Sequence, residues 1–225
     1  MIEQKILNHR IQKHVIDVLM HQKYARFRDM RPPRVDTNLY SYHLKLLQKN
    51  DFVAKTEKGY TLSKTGLIFV DRVSTKSLKI RTQPKIITIL VVQNSNGDVL
   101  LFKRKRQPYV DLWTLPYGKL HIDDETILSA AQREASEKLN LKDQEMSHAG
   151  ECYIRIKSED EIIMSTLAHV FYFETDKIQE SESLVWARPH RLSQYDLAPA
   201  VEQIVARTFF RDPYFFEEYS EDLVE

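Results

Sequence analysis

The chain is poor in cysteine and in long apolar runs. Cys152 is the single cysteine among 225 residues, which excludes a disulfide framework and a zinc site built from several cysteines. The longest apolar stretch, residues 86–92, is interrupted by Thr88 and falls far short of the ~20 residues that a membrane-spanning helix needs. Met1 begins no signal-like apolar segment. We therefore expect a cytoplasmic protein with no membrane partner.

Net charge is nearly absent from the whole chain but not from its parts. The formal charge is +1 overall. Residues 1–82 hold 17 basic and 7 acidic side chains, a charge of +10, whereas residues 83–225 hold 16 basic and 25 acidic ones, a charge of −9. Such asymmetry suggests a smaller and a larger domain, of which the first meets a polyanion. Two domains of different ancestry would give the same imbalance without a polyanionic partner.

Apolar spacing in residues 1–76 predicts short helices and one hairpin. Pro32 and Pro33 stop any helix that precedes them, and Asp36 or Thr37 can cap the helix that follows. The predicted elements are, in order, helices at residues 5–20, 26–30 and 38–48, a β-hairpin at 52–62 with its turn at Glu57-Lys58-Gly59, and a helix at 63–73.

This order of elements resembles the winged helix-turn-helix fold of bacterial and archaeal transcriptional regulators. Residues 42–47 and 59–63 carry the resemblance. In such a fold the third helix enters the major groove, and nearby basic residues contact phosphates. Winged helices also serve as protein–protein modules, so that alternative stays open. The predicted DNA-binding residues are Asn38, Ser41, Tyr42 and Lys45 on the third helix, with Arg26, Arg28, Arg31, Lys55 and Lys58 around it.

The more acidic part of the chain has the pattern of a second domain at residues 85–210. A polar, basic linker at 77–84 precedes it. His169 lies among apolar neighbours and is interpreted as a core histidine. The predicted elements are strands at 86–92, 99–103, 162–166 and 167–173, a closing helix at 199–210, and an acidic aromatic tail at 211–225 that docks on this domain or on a second subunit.

A predicted helix at residues 125–139 concentrates acidic side chains on one face. Glu134, Glu137 and position 138 cluster there. Carboxylates three and four residues apart can converge on one hard divalent cation. The third position is Lys138, which equally forms an ordinary i,i+4 pair with Glu134. The apolar positions expected to face the core are Leu128, Ala131, Ala135 and Leu139.

This segment resembles the signature of the Nudix family, which is Gly, five residues, Glu, seven residues, Arg-Glu, an aliphatic, any residue, Glu-Glu, any residue, Gly and an aliphatic. Residues 115–119 are similar to the Leu-Pro-Gly-Gly-Lys that precedes it, and a looser similarity extends over residues 84–207. The resemblance implies an α/β/α sandwich, and hence an α+β chain with an N-terminal winged helix-turn-helix. The matching residues are Gly118, Glu125, Arg133, Glu134, Ala135, Glu137 and Leu141.

Four departures from the signature bear on function. One residue is inserted between Gly118 and Glu125, Tyr117 replaces the first glycine of the pair, Asn140 replaces the last glycine, and Lys138 replaces the last glutamate. The family uses that glutamate to hold catalytic Mg²⁺ or Mn²⁺. An ammonium there removes one anionic ligand and adds a positive charge, so binding of either metal is expected to be weakened.

The resemblance also implies roles for individual residues. The family's reaction is metal-assisted attack of water on a diphosphate linkage. His121, or an acid from a distant strand such as Glu174 or Glu182, could add a further metal ligand. The implied metal ligands are Glu134, Glu137 and the backbone oxygen of Tyr117, the catalytic residues of an active enzyme are Glu134, Glu137 and Arg133, and the ligand-binding residues are Arg104, Gly118, Lys119 and Lys138.

Three functions are compatible with these patterns. The first is a homodimeric DNA-binding transcriptional regulator whose Nudix-like domain binds a nucleotide or a nucleoside-diphosphate-linked metabolite with weak or absent hydrolysis. In that case the Lys138 ammonium occupies the cation's place beside Glu134. The alternative is an active Mg²⁺- or Mn²⁺-dependent hydrolase of a nucleoside diphosphate linked to another moiety. The third is a non-catalytic adaptor whose winged helix binds protein.

Overall fold

The computed structural model describes residues 7, 9–74, 78, 83–107, 109–159, 161–210 and 214–222. The chain divides into two compact units, Met1–Thr82 and Gln83–Glu225. Within the described ranges, none of the helices has the length and apolar character that crossing a membrane requires.

In its described residues, the first unit contains three helices and a hairpin. Helix α2 begins where sequence predicts, because the Asp36 carboxylate accepts hydrogen bonds from the backbone N–H of Asn38 at 2.8 Å and of Leu39 at 3.1 Å. Its apolar face buries Tyr40, Leu44 and Leu47 in the core of this unit. The elements are α1 (Arg10–His21), α2 (Thr37–Lys49), β1 (Val53–Thr56), β2 (Gly59–Leu62) and α3 (Lys64–Arg72).

The helix predicted at residues 26–30 is absent, and a turn occupies these residues instead. The backbone of Ala25 exchanges two hydrogen bonds with that of Tyr60, at 3.0 and 2.9 Å. This pairing holds the chain extended beside β2, so only a short i to i+3 turn fits before Pro32. The beginning of the helix predicted from residue 5 lies outside the described residues, and α1 is described from Arg10.

The second unit is a mixed sheet with a helix on each face. The strands are ordered β10-β7-β8-β3-β4-β5, while β6 pairs with β3 and β9 pairs with β4. Strand β3 runs parallel to β8 and antiparallel to β6. The elements are β3 (Lys85–Gln93), β4 (Val99–Lys103), β5 (Trp113–Thr114), β6 (Tyr117–Lys119), α4 (Ile127–Leu139), β7 (Ser147–Ser158), β8 (Glu161–Glu174), β9 (Leu184–Ala187), α5 (Val201–Phe209) and β10 (Phe215–Asp222).

Side chains of β3 alternate between two cores, as expected of a strand covered on both faces. Leu90 and Val92 pack with Ala131 of α4. Ile89 and Val91, on the other face, pack in the core that includes α5. The sheet therefore fixes where α4, and with it the acidic cluster, lies.

Two sequence-based expectations for this unit differ from the structure, and one open alternative is resolved. Leu128, in the first turn of α4, is 40% exposed, whereas Ala131, Ala135 and Leu139 of the predicted face are buried, as is Ala130. The two strands predicted at 162–166 and 167–173 form one long strand, β8, which is paired along its length with β7. Of the two alternatives for the tail, the structure has docking on this domain, because the tail contains β10, which pairs in parallel with β7 of the same chain.

Candidate ligand-binding site

Helix α4 is fixed at its first turn by reciprocal side-chain caps. Thr126 Oγ1 accepts a hydrogen bond from Ser129 N at 3.0 Å, and Ser129 Oγ accepts one from Thr126 N at 2.9 Å. The helix ends at Asn140, which adopts a left-handed conformation with φ of 55°. These two ends place Arg133, Glu134 and Lys138 on the turns that meet β6.

Both carboxylate oxygens of Glu134 are paired with cations. The residue is 4% exposed. Its Oε1 lies 2.7 Å from Arg133 Nη1, and its Oε2 lies 2.8 Å from Lys138 Nζ. A buried carboxylate is costly unless it is paired, and these two contacts offset that cost for Glu134.

Asp124 is a member of the site that the sequence interpretation missed. Arg133 binds its carboxylate with two nitrogens, Nε and Nη2, each at 2.9 Å, and donates a further bond to the carbonyl of Lys119 at 3.0 Å. The backbone N–H of His121 donates to Asp124 at 2.7 Å. The hydrogen bonds from Arg133 and then from His121 lower the pKa of Asp124 to about 2.

A signal for Asp124 was present in the spacing. The signature places its acid six positions after the glycine and eight positions before the arginine. Counted from Gly118 this acid is Asp124, and counted back from Arg133 it is Glu125. The insertion separates the two positions. Helix α4 begins after Thr126, so Glu125 is outside it, and the structure pairs Arg133 with Asp124.

Gly118 is required by the close approach of Glu134. A Cβ atom on Gly118 would lie 1.6 Å from Glu134 Cδ. No larger residue fits unless the paired carboxylate moves. The residue before it, Tyr117, instead fills the cleft with a ring that lies 5.0 Å from the Arg104 guanidinium and 5.3 Å from Lys138 Nζ. Contacts of this kind are favourable for cations.

A basic cleft of about 600 Å³ opens beside these residues. Its only acidic residues are Glu134 and Glu137 among the described residues that line it, and Glu137 is 58% exposed on its side chain. The cationic residues that line it are Arg104, Lys105, Arg106, Lys119, Arg133 and Lys138. The net charge of the lining is therefore +4, which suits a polyanion.

A second cavity of about 400 Å³ adjoins this cleft, and the two share Arg104, Arg106, Tyr117 and Lys119. It lies between β3 and α5 and is lined mainly by apolar side chains, including Ile87. The Tyr109 hydroxyl is buried without a hydrogen-bond partner among the described residues. Burial raises the pKa of Tyr109 to about 12, so this hydroxyl is a donor at neutral pH.

Most of the predicted ligand residues lie at this cleft, but the distant acids do not line it. Arg104, Gly118, Lys119, Lys138 and His121 are part of its lining. Glu174 accepts a hydrogen bond from the Tyr172 hydroxyl at 2.5 Å. Neither Glu174 nor Glu182 is among the residues that line the cleft.

The site residues do not fit the Mg²⁺ or Mn²⁺ that the family implies. Mg²⁺ requires near-octahedral oxygen ligands and usually one or two free carboxylates. Here Glu134 contacts two cationic nitrogens, and Lys138 Nζ lies against the oxygen that an ion would bind. Glu137 lies 3.7 Å from Arg133 Nη1. In this arrangement two organic cations surround the Glu134 carboxylate.

In the first unit, the predicted DNA-binding residues lie on the surface, and only Ser41 is half-buried. Asn38, Ser41, Tyr42 and Lys45 lie on α2 away from its buried face. Arg31 donates to Thr37 Oγ1 at 2.7 Å, which holds it near the start of α2. His43 is buried and stacks on His9 with ring centroids 3.8 Å apart. Burial, followed by the charge of His9, lowers the pKa of His43.

Solved structures with similar folds include the NUDIX domain of Shewanella oneidensis NrtR complexed with ADP ribose, with 16% identity over 64% of this chain and 97% of that chain and a TM-score of 0.49. Shewanella oneidensis NrtR complexed with a 27mer DNA has 17% identity over 56% of this chain and 61% of that chain, with a TM-score of 0.48. The MutT protein from Methanosarcina mazei Go1 has 19% identity over 60% of this chain and 99% of that chain, with a TM-score of 0.49. At this distance none of them identifies a ligand or a partner.

No curated protein matches this chain. The family model described as the NUDIX domain matches residues 83–210, which is more than half of the chain and contains the whole cleft. The chain therefore belongs to the NUDIX domain family.

Proposed function

We propose that this protein is a DNA-binding transcriptional regulator whose Nudix domain binds a nucleotide or nucleoside-diphosphate-linked metabolite with weak or absent hydrolysis. The observation that carries the proposal is the 2.8 Å contact between Lys138 Nζ and Glu134 Oε2. An ammonium at this point supplies the positive charge that the family otherwise obtains from a metal. It attracts phosphate oxygens, but it cannot generate a metal-bound hydroxide.

The charge of the cleft supports a diphosphate as the recognised group. Six cationic side chains against two carboxylates line it, and low-dielectric walls concentrate such a field. Arg104 and Lys138 both lie against the Tyr117 ring. Both cations also line the basic cleft, as recognition of adjacent phosphates would require.

The adjoining cavity supports a nucleoside on the other side of the diphosphate. Its volume of about 400 Å³ lies within the range of ~300–1,000 Å³ typical of small-molecule sites. Apolar side chains suit a base, and the Tyr109 hydroxyl, which has no hydrogen-bond partner among the described residues, offers one directional hydrogen bond. A ligand that uses both spaces would combine a planar apolar group with two phosphates.

Calorimetry with ADP-ribose and ADP in excess chelator tests this site. We expect both compounds to bind without divalent metal, with little change in affinity when Mg²⁺ is added, because Lys138 and Arg133 supply the counter-charge. Product release in the presence of Mg²⁺ is expected to stay near background. Rapid Mg²⁺-dependent release of product, abolished by the chelator, would instead establish the hydrolase alternative.

The DNA-binding half of the proposal rests on the first unit. Its net charge of +10 over residues 1–82 accompanies a surface of α2 on which Asn38, Tyr42 and Lys45 are exposed and Ser41 is half-buried. Lys55 and Lys58 are exposed on the hairpin that follows. A polar helix face beside basic residues combines groups that can meet base edges with groups that neutralise phosphates.

Binding to random duplex DNA is expected to weaken steeply with salt, since each neutralised phosphate releases counterions. The K55A/K58A variant should reduce the slope of log affinity against log salt by about 2, one unit for each lost phosphate contact. Fluorescence anisotropy at several salt concentrations measures the slope. The matched control is K142A, which removes an exposed lysine of the Nudix unit and should leave the salt slope unchanged. Salt-independent or absent binding would support the protein-binding adaptor.

Regulation also requires coupling between ligand and DNA. We propose a homodimer, because paired recognition helices read a pseudo-palindromic site. The metabolite then acts by binding the DNA-competent and DNA-incompetent states unequally. DNA titrations with and without ADP-ribose, alongside sedimentation of the free protein, measure the coupling and the oligomeric state.

A further inference from the structure

Strands β7 and β8 contain a β-bulge that has a chemical consequence. His148 pairs with Phe171 and Gly150 pairs with Val170, so Ala149 is an extra residue in β7. In a regular strand, residues 148 and 151 would point to opposite faces. The extra residue places His148 and Glu151 on the same face, and Glu151 lies directly opposite His169 of β8.

The bulge thereby assembles two imidazoles and one carboxylate. Each of His148, Glu151 and His169 offers a ligand atom, and these atoms all lie within 4.8 Å of one another. Zn²⁺ binds histidine nitrogen and carboxylate oxygen at about 2.0–2.2 Å, so ligand atoms around one ion are roughly 3–3.5 Å apart. Small side-chain rotations close that difference.

The contact between Glu151 and His169 is unusual for a simple ion pair. His169 Nδ1 lies 3.0 Å from Glu151 Oε1. The same nitrogen is buried and has no partner with hydrogen-bond geometry among the described residues. A core histidine, as interpreted from the sequence, would direct its ring N–H at an acceptor. Here the nitrogen and the oxygen lie close together without the alignment of a hydrogen bond. Two ligand atoms whose lone pairs are directed at one metal ion would have this arrangement.

We propose that His148, Glu151 and His169 form a binding site for one Zn²⁺ ion per chain, separate from the basic cleft. Two nitrogens and one oxygen form the donor set of many zinc sites, whereas Mg²⁺ prefers oxygen alone. Three protein ligands leave a fourth position, which is open to solvent because His148 is exposed. Water is the ligand of that position.

Neighbouring groups prepare the ligands for a metal. The His148 imidazole is held between aromatic side chains. The ring stacks on Phe171 with centroids 4.9 Å apart and meets the edge of Tyr214 at 5.4 Å. The Tyr214 hydroxyl donates a hydrogen bond to the Glu151 carboxylate and so supports that ligand.

Zinc titration of the chelator-stripped full-length protein, without nucleotide, tests the site. We expect one Zn²⁺ per chain by calorimetry, and a visible absorption band when Co²⁺ replaces Zn²⁺. H148A should weaken zinc binding by at least about 100-fold, since loss of a ligand exceeds the 10- to 100-fold effect of changes around the ligands. H190A removes an exposed histidine of the same unit and serves as the matched control, with unchanged affinity.

H148A is preferred to H169A because residue 148 is exposed and its loss is compatible with folding. E151Q gives a second test that keeps the side-chain shape and should weaken zinc to a similar degree. The E137A variant should bind zinc as the unaltered protein does, which separates this site from the cleft and from the proposed function. Absence of stoichiometric zinc binding, or equal affinity in H148A, would overturn the assignment.

Discussion

Replacing Arg133 with alanine is expected to lower the free energy of unfolding of the Nudix unit by roughly 3 kcal/mol. Removing one partner of a buried ion pair typically costs about 3–5 kcal/mol, and the side-chain exposure of 23% favours the lower end of that range. The variant leaves Glu134 with Lys138 alone and leaves Asp124 without its two guanidinium contacts. It also releases the carbonyl of Lys119.

Urea unfolding followed by tryptophan fluorescence measures this change selectively. Trp113 and Trp186 are the two tryptophans of the chain, and both lie in the second unit. R188A, which removes an exposed arginine of the same unit, is the matched control and should change stability by less than about 0.5 kcal/mol. An R133A effect as small as that of the control would mean that the guanidinium does not stabilise the two carboxylates.

The K138E substitution is expected to weaken metal-free binding of ADP and to create a binding site for Mg²⁺. It removes the ammonium and restores the acid of the family signature beside Glu134. Without divalent metal, affinity for ADP should fall about 10- to 100-fold, as expected for loss of a charge-assisted contact. Addition of Mg²⁺ should raise the melting temperature of K138E, because two adjacent carboxylates gain a counter-ion, and should have little effect on the unaltered protein.

Two variants separate the causes of that change. K138Q removes the charge without adding an acid, and should lose ADP affinity without responding to Mg²⁺. K142E makes the same charge reversal at an exposed residue beyond the end of α4, and should behave as the unaltered protein. If Mg²⁺ fails to stabilise K138E, the lysine does not occupy a cation site.

The sequence predicted well those features that depend on local chemistry. The Asp36 cap and the buried face of α2 follow from side chains within a few residues of one another. The 2.8 Å pair of Glu134 and Lys138 follows from helix periodicity alone. Residues 99–103, after Asn96-Gly97, form β4 as expected.

Features that depend on distant contacts were not predictable in the same way. The turn at residues 26–30 arises because Ala25 pairs with Tyr60, which lies 35 positions later. Pairing with β7, which local pattern does not specify, makes residues 161–174 one strand and draws β10 into the sheet. Arg133 pairs with Asp124 and not with Glu125, and this depends on the position of the Thr126 cap at which α4 begins. The joining of His148 to His169 required the bulge in β7.

The pairing of Lys138 with Glu134 also means that the cleft contains its own competitor for incoming anions. A ligand that recruits the ammonium must first displace a carboxylate held at 2.8 Å, so its net gain is the difference between two charge-assisted bonds. A singly charged anion gains little from that exchange. A diphosphate, with several negative oxygens for the surrounding cations, gains much more. The internal carboxylate therefore sets a charge threshold, which selects for densely charged ligands among the anions of the cell.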